Sequence, residues 1–365
     1  MLIFAIPLFA VSVGSTASEL GFIALVYTLP SLLVPVFVGR FLNRRRAMRL
    51  IQLAMAAYAL PTLLFPYGSD FLEIAAIRAL QGFLSIAFWV SIEKELADLA
   101  SQAETGRVMG FYNVSWSSAF LVGPFLGGYI IQTFDFRATF WATFLLLIAG
   151  LTPTLLLRTR STTEGAKTTS VENGDRPRQR EPWHPRGLLG ACLTIGVGGG
   201  ILGTMFALFP AYVVSLGFSP VWAGLLIVIF SASRVATFLG LGMVIDRFGE
   251  RRFMLAGLAL SGAMIILGIS GRAEVLALGL LILGVGSGMT NTSSLTLASR
   301  SPPETRGSAI GKFEVSFNLG IALMAQAGGI SADVFSPSAP YILAGGVSLV
   351  GLFALLFLLA KRGRN

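Results

Sequence analysis

Apolar stretches of about 20 residues, the length that crosses the hydrocarbon core of a bilayer, recur along almost the whole chain between short polar breaks. One soluble core could not absorb them. Of the 365 residues 54% are apolar and only 12% charged, and the mean hydropathy is +0.76, so lipid is the expected solvent and an ordinary soluble enzyme is excluded. In lipid the backbone must satisfy its own hydrogen bonds, which makes an all-α polytopic membrane protein the expected fold class.

Hydropathy places spans at 2–13, 20–42, 48–66, 71–95, 107–132, 136–157, 188–213, 220–243, 253–271, 274–298, 307–332 and 338–360. The first is short: residues 2–13 rise about 20 Å as a helix against about 30 Å of hydrocarbon. A cleaved signal peptide would show a basic stretch before its apolar run, and none is present. The expectation is a truncated first helix, begun upstream or cut by an internal start codon.

Charge gives the orientation. Of the 27 Lys and Arg residues, 23 fall after even-numbered spans, in the middle loop or in the C-terminal tail, while the alternate loops hold only Arg137 and Arg272. Basic residues near span ends are retained on the cytoplasmic side, so both termini are expected there, in a multi-pass protein of the cell membrane. The formal net charge of +9 does not imply a nucleic-acid partner, because these residues sit in loops between spans and not on one face of a soluble domain. Cys192 is the single cysteine, so no intrachain disulfide can form, and the single histidine, His184, lies in a Pro-flanked polar stretch. No metal site or cofactor is expected.

Thr159 to Pro185 is polar, rich in Ser, Thr, Arg, Gly and Pro, and without apolar periodicity, which reads as a flexible cytoplasmic linker. It divides the chain into an expected six-helix bundle at 1–158, a linker at 159–186 and a second six-helix bundle at 187–365. The two halves superpose in sequence. Gly39-Arg40-Phe41-Leu42-Asn43-Arg44 matches Gly242-Met243-Val244-Ile245-Asp246-Arg247 at an offset of 203, and Gly110 with Gly127-Gly128 matches Gly311 with Gly328-Gly329 at an offset of 201. A duplicated bundle with its pseudo-two-fold axis along the membrane normal puts the natural solute path in the seam between halves.

These features resemble the major facilitator superfamily, and the resemblance covers nearly the whole chain. Its most specific element is Gly242-x-x-x-Asp246-Arg247-Phe248-Gly249-Glu250-Arg251-Arg252, similar to the family's cytoplasmic loop signature. An Asp at a helix end can pair with loop Arg and cap a neighbouring helix, closing an inner gate; a positive-inside anchor with a turn glycine is the plainer alternative. In the first half the same loop, from Gly39 to Arg44, carries Asn43 in place of the acid. Arg78-Ala79-Leu80-Gln81-Gly82 resembles the family's Arg-x-x-Gln-Gly motif, whose implied role is to tune a proton site or attract an anion. Arg78 could instead snorkel outward to Glu73 or Asp70. The run Gly123-Pro124-Phe125-Leu126-Gly127-Gly128 is similar to the signature of antiporter members and favours export over uptake, although small-residue helix packing would also explain it.

Intramembrane charges are expensive and therefore candidates for the transport path. Glu314, aligned by the repeat with Asn113, is the proton-carrying candidate. Arg234, in the middle of the eighth span, requires a cavity or an acid: an anionic solute would suit it, and a structural pairing with Glu314 is the alternative. Further polar groups at membrane depth are Asn291 and Asn318, with Ser117, Thr292 and Ser293. The Gly-rich runs 196–200 and 284–288 suit either flexible gating or tight packing. The resemblance implies a monomeric secondary transporter moving a small amphipathic or anionic solute by alternating access, with proton-coupled export. Uptake of an organic anion or sugar, or a transport-dead receptor of the same fold, are the alternatives. A membrane enzyme would need clustered acids, a His pair or a Ser-Lys dyad, and the chain presents none of these at one depth.

Overall fold

The computed structural model describes residues 1–32, 44–99, 105–156 and 185–360. Every described element is helical. In chain order they are α1 (Leu2–Ser12), α2 (Ala17–Thr28), α3 (Arg44–Thr62), a 3-10 turn (Phe65–Tyr67), α4 (Phe71–Leu99), α5 (Thr105–Thr133), α6 (Phe136–Leu156), α7 (Pro185–Ala207), α8 (Phe209–Ser215), α9 (Pro220–Phe248), α10 (Glu250–Ser261), α11 (Met264–Ile269), α12 (Ala273–Ser299), α13 (Pro303–Val334) and α14 (Ala339–Ala360). Among the described residues nine helical segments are long and apolar enough to cross a bilayer, and two shorter apolar ones precede them. The linker at 159–186 and the loop residues Gly39 and Asn43 lie outside the described residues, apart from the linker's last two, which open α7.

Two of the expected spans are each divided between two helices, for local reasons. The seventh is interrupted between α7 and α8 at Leu208, because Pro210 has no N–H to continue the ladder. The ninth tightens at Gly262 and Ala263, where i→i+3 bonds replace the α pattern, as in Ile265 N–H to Gly262 O (3.1 Å).

The periphery is apolar. Leu53, Leu145, Leu239, Val350, Phe353 and Phe357 are all more than half exposed, a distribution that only lipid accommodates. Inside, the largest core cluster joins Phe4 and Leu8 of α1 to α7, α8, α9, α12 and α14, so the two halves share one apolar core.

The repeat is visible in backbone detail. Gly14 (φ +92°) and Gly217 (φ +90°), 203 residues apart, take the left-handed conformation that other residues resist in the turns before α2 and α9. Two residues on, Thr16 and Ser219 cap those helices by accepting from Glu19 N–H and Trp222 N–H. The end of the bundle bearing these turns is called the turn end below, and the opposite one the basic end.

Candidate functional site

Between the halves lies a cavity of about 280 Å³, lined by α1, α2, α4 and α5 from the first half and by α7, α9 and α13 from the second. Among the described residues six of those lining it are aromatic, two are arginines, and none is an Asp or Glu. The arginines come from opposite halves: Arg78 from α4, 6% exposed, and Arg234 from α9, 5% exposed.

Arg78 is held by its own motif. Its Nη1 donates to Gln81 Oε1 (3.2 Å), and the fully buried Gln81 in turn donates from Nε2 to Thr62 Oγ1 of α3 (3.1 Å). Gly82 lets the α2 backbone approach so closely that a Cβ there would overlap the carbonyl of Tyr27. The same approach places the Tyr27 ring under the guanidinium, 3.8 Å from Cζ to centroid, a cation–π contact. Glu73 instead bonds to Ser69, and Asp70 caps Glu73 N–H, so Arg78 does not snorkel to either acid.

Arg234 is held by rings. Its Cζ lies 5.0 Å from the Phe238 ring and 5.6 Å from that of Trp116, and among the described residues no carboxylate pairs with it, Glu314 included. The Nε atoms of both arginines are buried without a hydrogen-bond partner among the described residues. Beside Arg234 the rings of Trp116, Phe120 and Phe206 run across the seam with successive centroids 5.0 Å apart.

On α13 the lining residues are Phe317, Asn318 and Ile321. Glu314 precedes them at i−3, i−4 and i−7, so it continues the same stripe one turn toward the basic end, where its side chain is exposed. Asn318 Nδ2 donates to the Glu314 carbonyl (2.9 Å). Asn291, Thr292 and Ser293 on α12 do not line the cavity; Thr292 and Ser293 bond back to Gly288 O and Met289 O in their own helix. The side chain of Asn113 lies outside the described residues, and that of Ser117 is buried off the cavity.

The halves are closed against each other at the turn end. The Asp333 carboxylate of α13 accepts from Ala17 N–H (3.0 Å) and Ser18 N–H (2.7 Å), capping α2 of the other half. Gln132 of α5 accepts from Val221 N–H of α9 (3.4 Å). The two contacts are repeat-equivalent, since Gln132 and Asp333 stand 201 apart and Ser18 and Val221 stand 203 apart. Sequence reasoning passed over both residues, although the repeat offset links them.

In the antiporter-like run Gly128 and Pro124 pack across the seam, whereas Gly123 and Gly127 pack within their own half. Gly123 and Gly127 face α1, where a Cβ would meet Met1 N (2.8 Å) and Phe4 Cδ1 (3.3 Å), while Gly128 abuts Pro220 of α9. The carbonyl of Pro124 would lie 2.6 Å from a Cβ at Gly224, and that of Ala325 2.5 Å from one at Gly21. By contrast, Gly307 and Gly311 at the basic end of α13 have no atom within 4 Å among the described residues. The Gly-rich runs show tight packing: Gly199 meets Phe317 of α13, Gly288 meets Thr237 of α9, and Gly286 meets Ser261 of α10.

At the basic end, Gly249 (φ +84°) turns α9 into α10, a conformation that excludes a side chain at low cost. Glu250 of the loop signature pairs with Arg300 at the end of α12, a partner that spacing did not reveal. Arg251 is half-buried and Arg252 exposed. Gly242 and the backbones of Asp246, Arg247 and Arg44 are helical, and the side chains of these three lie outside the described residues.

Residues 1–242 and 223–365 match the family model described as Major Facilitator Superfamily. An uncharacterised MFS-type transporter of Methanocaldococcus jannaschii is 22% identical over 330 residues, 90% of this chain and 85% of that one. Multidrug resistance protein 2 of Bacillus subtilis is 24% identical over 70% of this chain and 64% of its own length. Quinolone resistance protein NorA of Staphylococcus aureus is 21% identical over 44% of this chain and 42% of its own. Among solved structures, the nucleoside transporter NupG superposes with a TM-score of 0.74 at 14% identity, covering 98% of this chain and 97% of that one. A POT family transporter in complex with a thioalcohol-conjugated peptide gives 0.77 at 13% identity, covering 99% and 92%.

Proposed function

The chain belongs to the major facilitator superfamily, and from that premise we propose that it moves a small amphipathic or anionic solute by alternating access and exports it in exchange for protons. The observation that carries this reading is the cavity at the seam, built from both halves and closed at one end by two repeat-equivalent contacts. A path that opens to one side at a time needs a central site, a closure that can break, and a symmetry that lets the opposite closure form. Positive-inside orientation makes the basic end cytoplasmic and the turn end external, so this is the cytoplasm-facing state, with both termini inside the plasma membrane.

In this account the two six-helix bundles rock about the ring cluster at Trp116, Phe120 and Phe206. Breaking the Asp333 and Gln132 contacts opens the outside. The loop from Gly242 through Asp246, Arg247 and Gly249 to Arg252, with its first-half counterpart from Gly39 through Asn43 to Arg44, closes the inside. Glu314, on the lining stripe but one turn nearer the cytoplasm, carries the proton: water reaches it in this state, and the opposite state buries it. Gly128 and Pro124 of α5 support export, because they pack against Pro220 and Gly224 of α9 at the external closure and favour return to the cytoplasm-facing, loading state. The chain's similarity to drug-resistance proteins supports the same direction.

The test is flux in proteoliposomes under an imposed pH gradient, with anionic 2-naphthoate and cationic ethidium as probes. The reading predicts gradient-driven movement of at least one probe, abolished in Glu314→Gln while gradient-free exchange persists. Undiminished accumulation in Glu314→Gln removes that residue from coupling, and movement of neither probe by the native chain contradicts the transport reading for these classes of solute.

A further inference from the structure

We infer that the cavity is an anion site, and that its solute is an aromatic carboxylate whose ring lies on the Trp116–Phe120–Phe206 shelf while its charge is taken by Arg234 within the field of Arg78. This deepens the transport reading and rests on it. Two guanidiniums, each about nineteen-twentieths buried, face the cavity from opposite sides of the seam, and no lining residue among those described carries a negative charge. Each presents five N–H donors. Arg78 is tied to Gln81, to the Tyr58 hydroxyl and to the Tyr27 ring, which still leaves its Nε without a partner among the described residues. Among the described residues the contacts of the Arg234 guanidinium are with the rings of Trp116 and Phe238. Both Nε atoms are buried and unpartnered among the described residues.

A cation entering such a space meets two like charges in a medium that screens them poorly, whereas an anion supplies what both guanidiniums lack. The planar carboxylate matches the guanidinium fork better than a spherical anion does. The rings then select what carries the charge. Trp116 adjoins Arg234 and meets Phe120 edge to face, with Phe206 tilted against Phe120, so a solute with a flat apolar body adjacent to its carboxylate reaches the guanidinium and the ring cluster at once. The shelf bridges the halves, so a bound solute touches both sides of the seam.

Trp89 and Trp116 line the cavity, which makes binding observable without transport. Purified full-length protein in nanodiscs is titrated with 2-naphthoate, its neutral analogue 2-naphthalenemethanol and the cation (2-naphthylmethyl)trimethylammonium, following tryptophan quenching. The expected result is saturable quenching by 2-naphthoate with a Kd at least tenfold below that of either analogue. Arg234→Gln should raise the naphthoate Kd at least tenfold and abolish the preference, while Arg234→Lys should keep the preference for the anion. Equal binding of all three, tighter binding of the cation, or no saturable binding of naphthoate overturns the proposal on the native chain, whether or not the variants fold. Flux separates the two readings: a chain that moves ethidium but neither binds nor moves naphthoate refutes the anion site and keeps transport. One that binds naphthoate selectively and moves nothing does the reverse.

Discussion

Arg234 and Arg78 were legible from depth alone, because an arginine inside an apolar span costs about 2.5–3.5 kcal/mol on insertion scales and is seldom idle. Depth does not specify a face. Glu314 and Asn291 sit at comparable depth, yet the helical stripe of α13 carries Glu314 toward the cavity mouth, while α12 contributes no lining residue among those described. Residues whose role depends on the opposite half were the ones missed. Asp333 and Gln132 look like ordinary helix-end polar groups until their partners across the seam are seen, and Glu250 reads as one more loop charge until Arg300 is placed beside it. Gly249 was visible as part of a motif, but its reason is conformational. At φ +84° and ψ +143° it occupies a region that is nearly exclusive to glycine, so Gly249→Ala should cost about 1–3 kcal/mol of stability. A lowered midpoint in thermal unfolding of the detergent-solubilised protein checks this, and an unchanged midpoint would remove the strain argument.

At the scale of helices, span positions followed from hydropathy because lipid imposes one length on every crossing. What hydropathy could not show is how helices run past the membrane or break within it. α4, α9 and α13 extend beyond their apolar cores, and Pro210 divides the seventh span. Helix ends also carry the closure at the turn end, and the two repeat-equivalent contacts differ in strength. Asp333 offers a charged group to two N–H donors at 2.7 and 3.0 Å, whereas Gln132 offers a neutral oxygen to one at 3.4 Å. Loss of a cap of this kind costs about 1 kcal/mol, roughly a fivefold change in an equilibrium. Asp333→Ala should therefore raise, by about that factor, the rate at which an impermeant maleimide applied from outside labels a cysteine placed at Asn318. Gln132→Ala should raise it less. Equal rates in all three backgrounds would show that the caps do not hold the external end shut.

Across the whole molecule, the duplication seen in the sequence at offsets of 201 and 203 is the feature that makes the rest intelligible. It recurs in the turn glycines Gly14 and Gly217, in the caps Thr16 and Ser219, and in the contacts of Gln132 and Asp333. Symmetry of this kind allows two states of similar energy, and of the two repeat-equivalent caps at the turn end Asp333 is charged and Gln132 neutral. The most direct test of alternating access is to prevent the external end from opening. In a chain with Cys192→Ser, cysteines at Ser18 and Asp333 bridged by a short bifunctional thiol reagent should abolish whatever flux of 2-naphthoate or ethidium the unbridged protein supports, and cleavage of the bridge should restore it. Full flux through the bridged protein would contradict the account, because a path that works with the halves tied together does not run through a seam that opens to each side in turn.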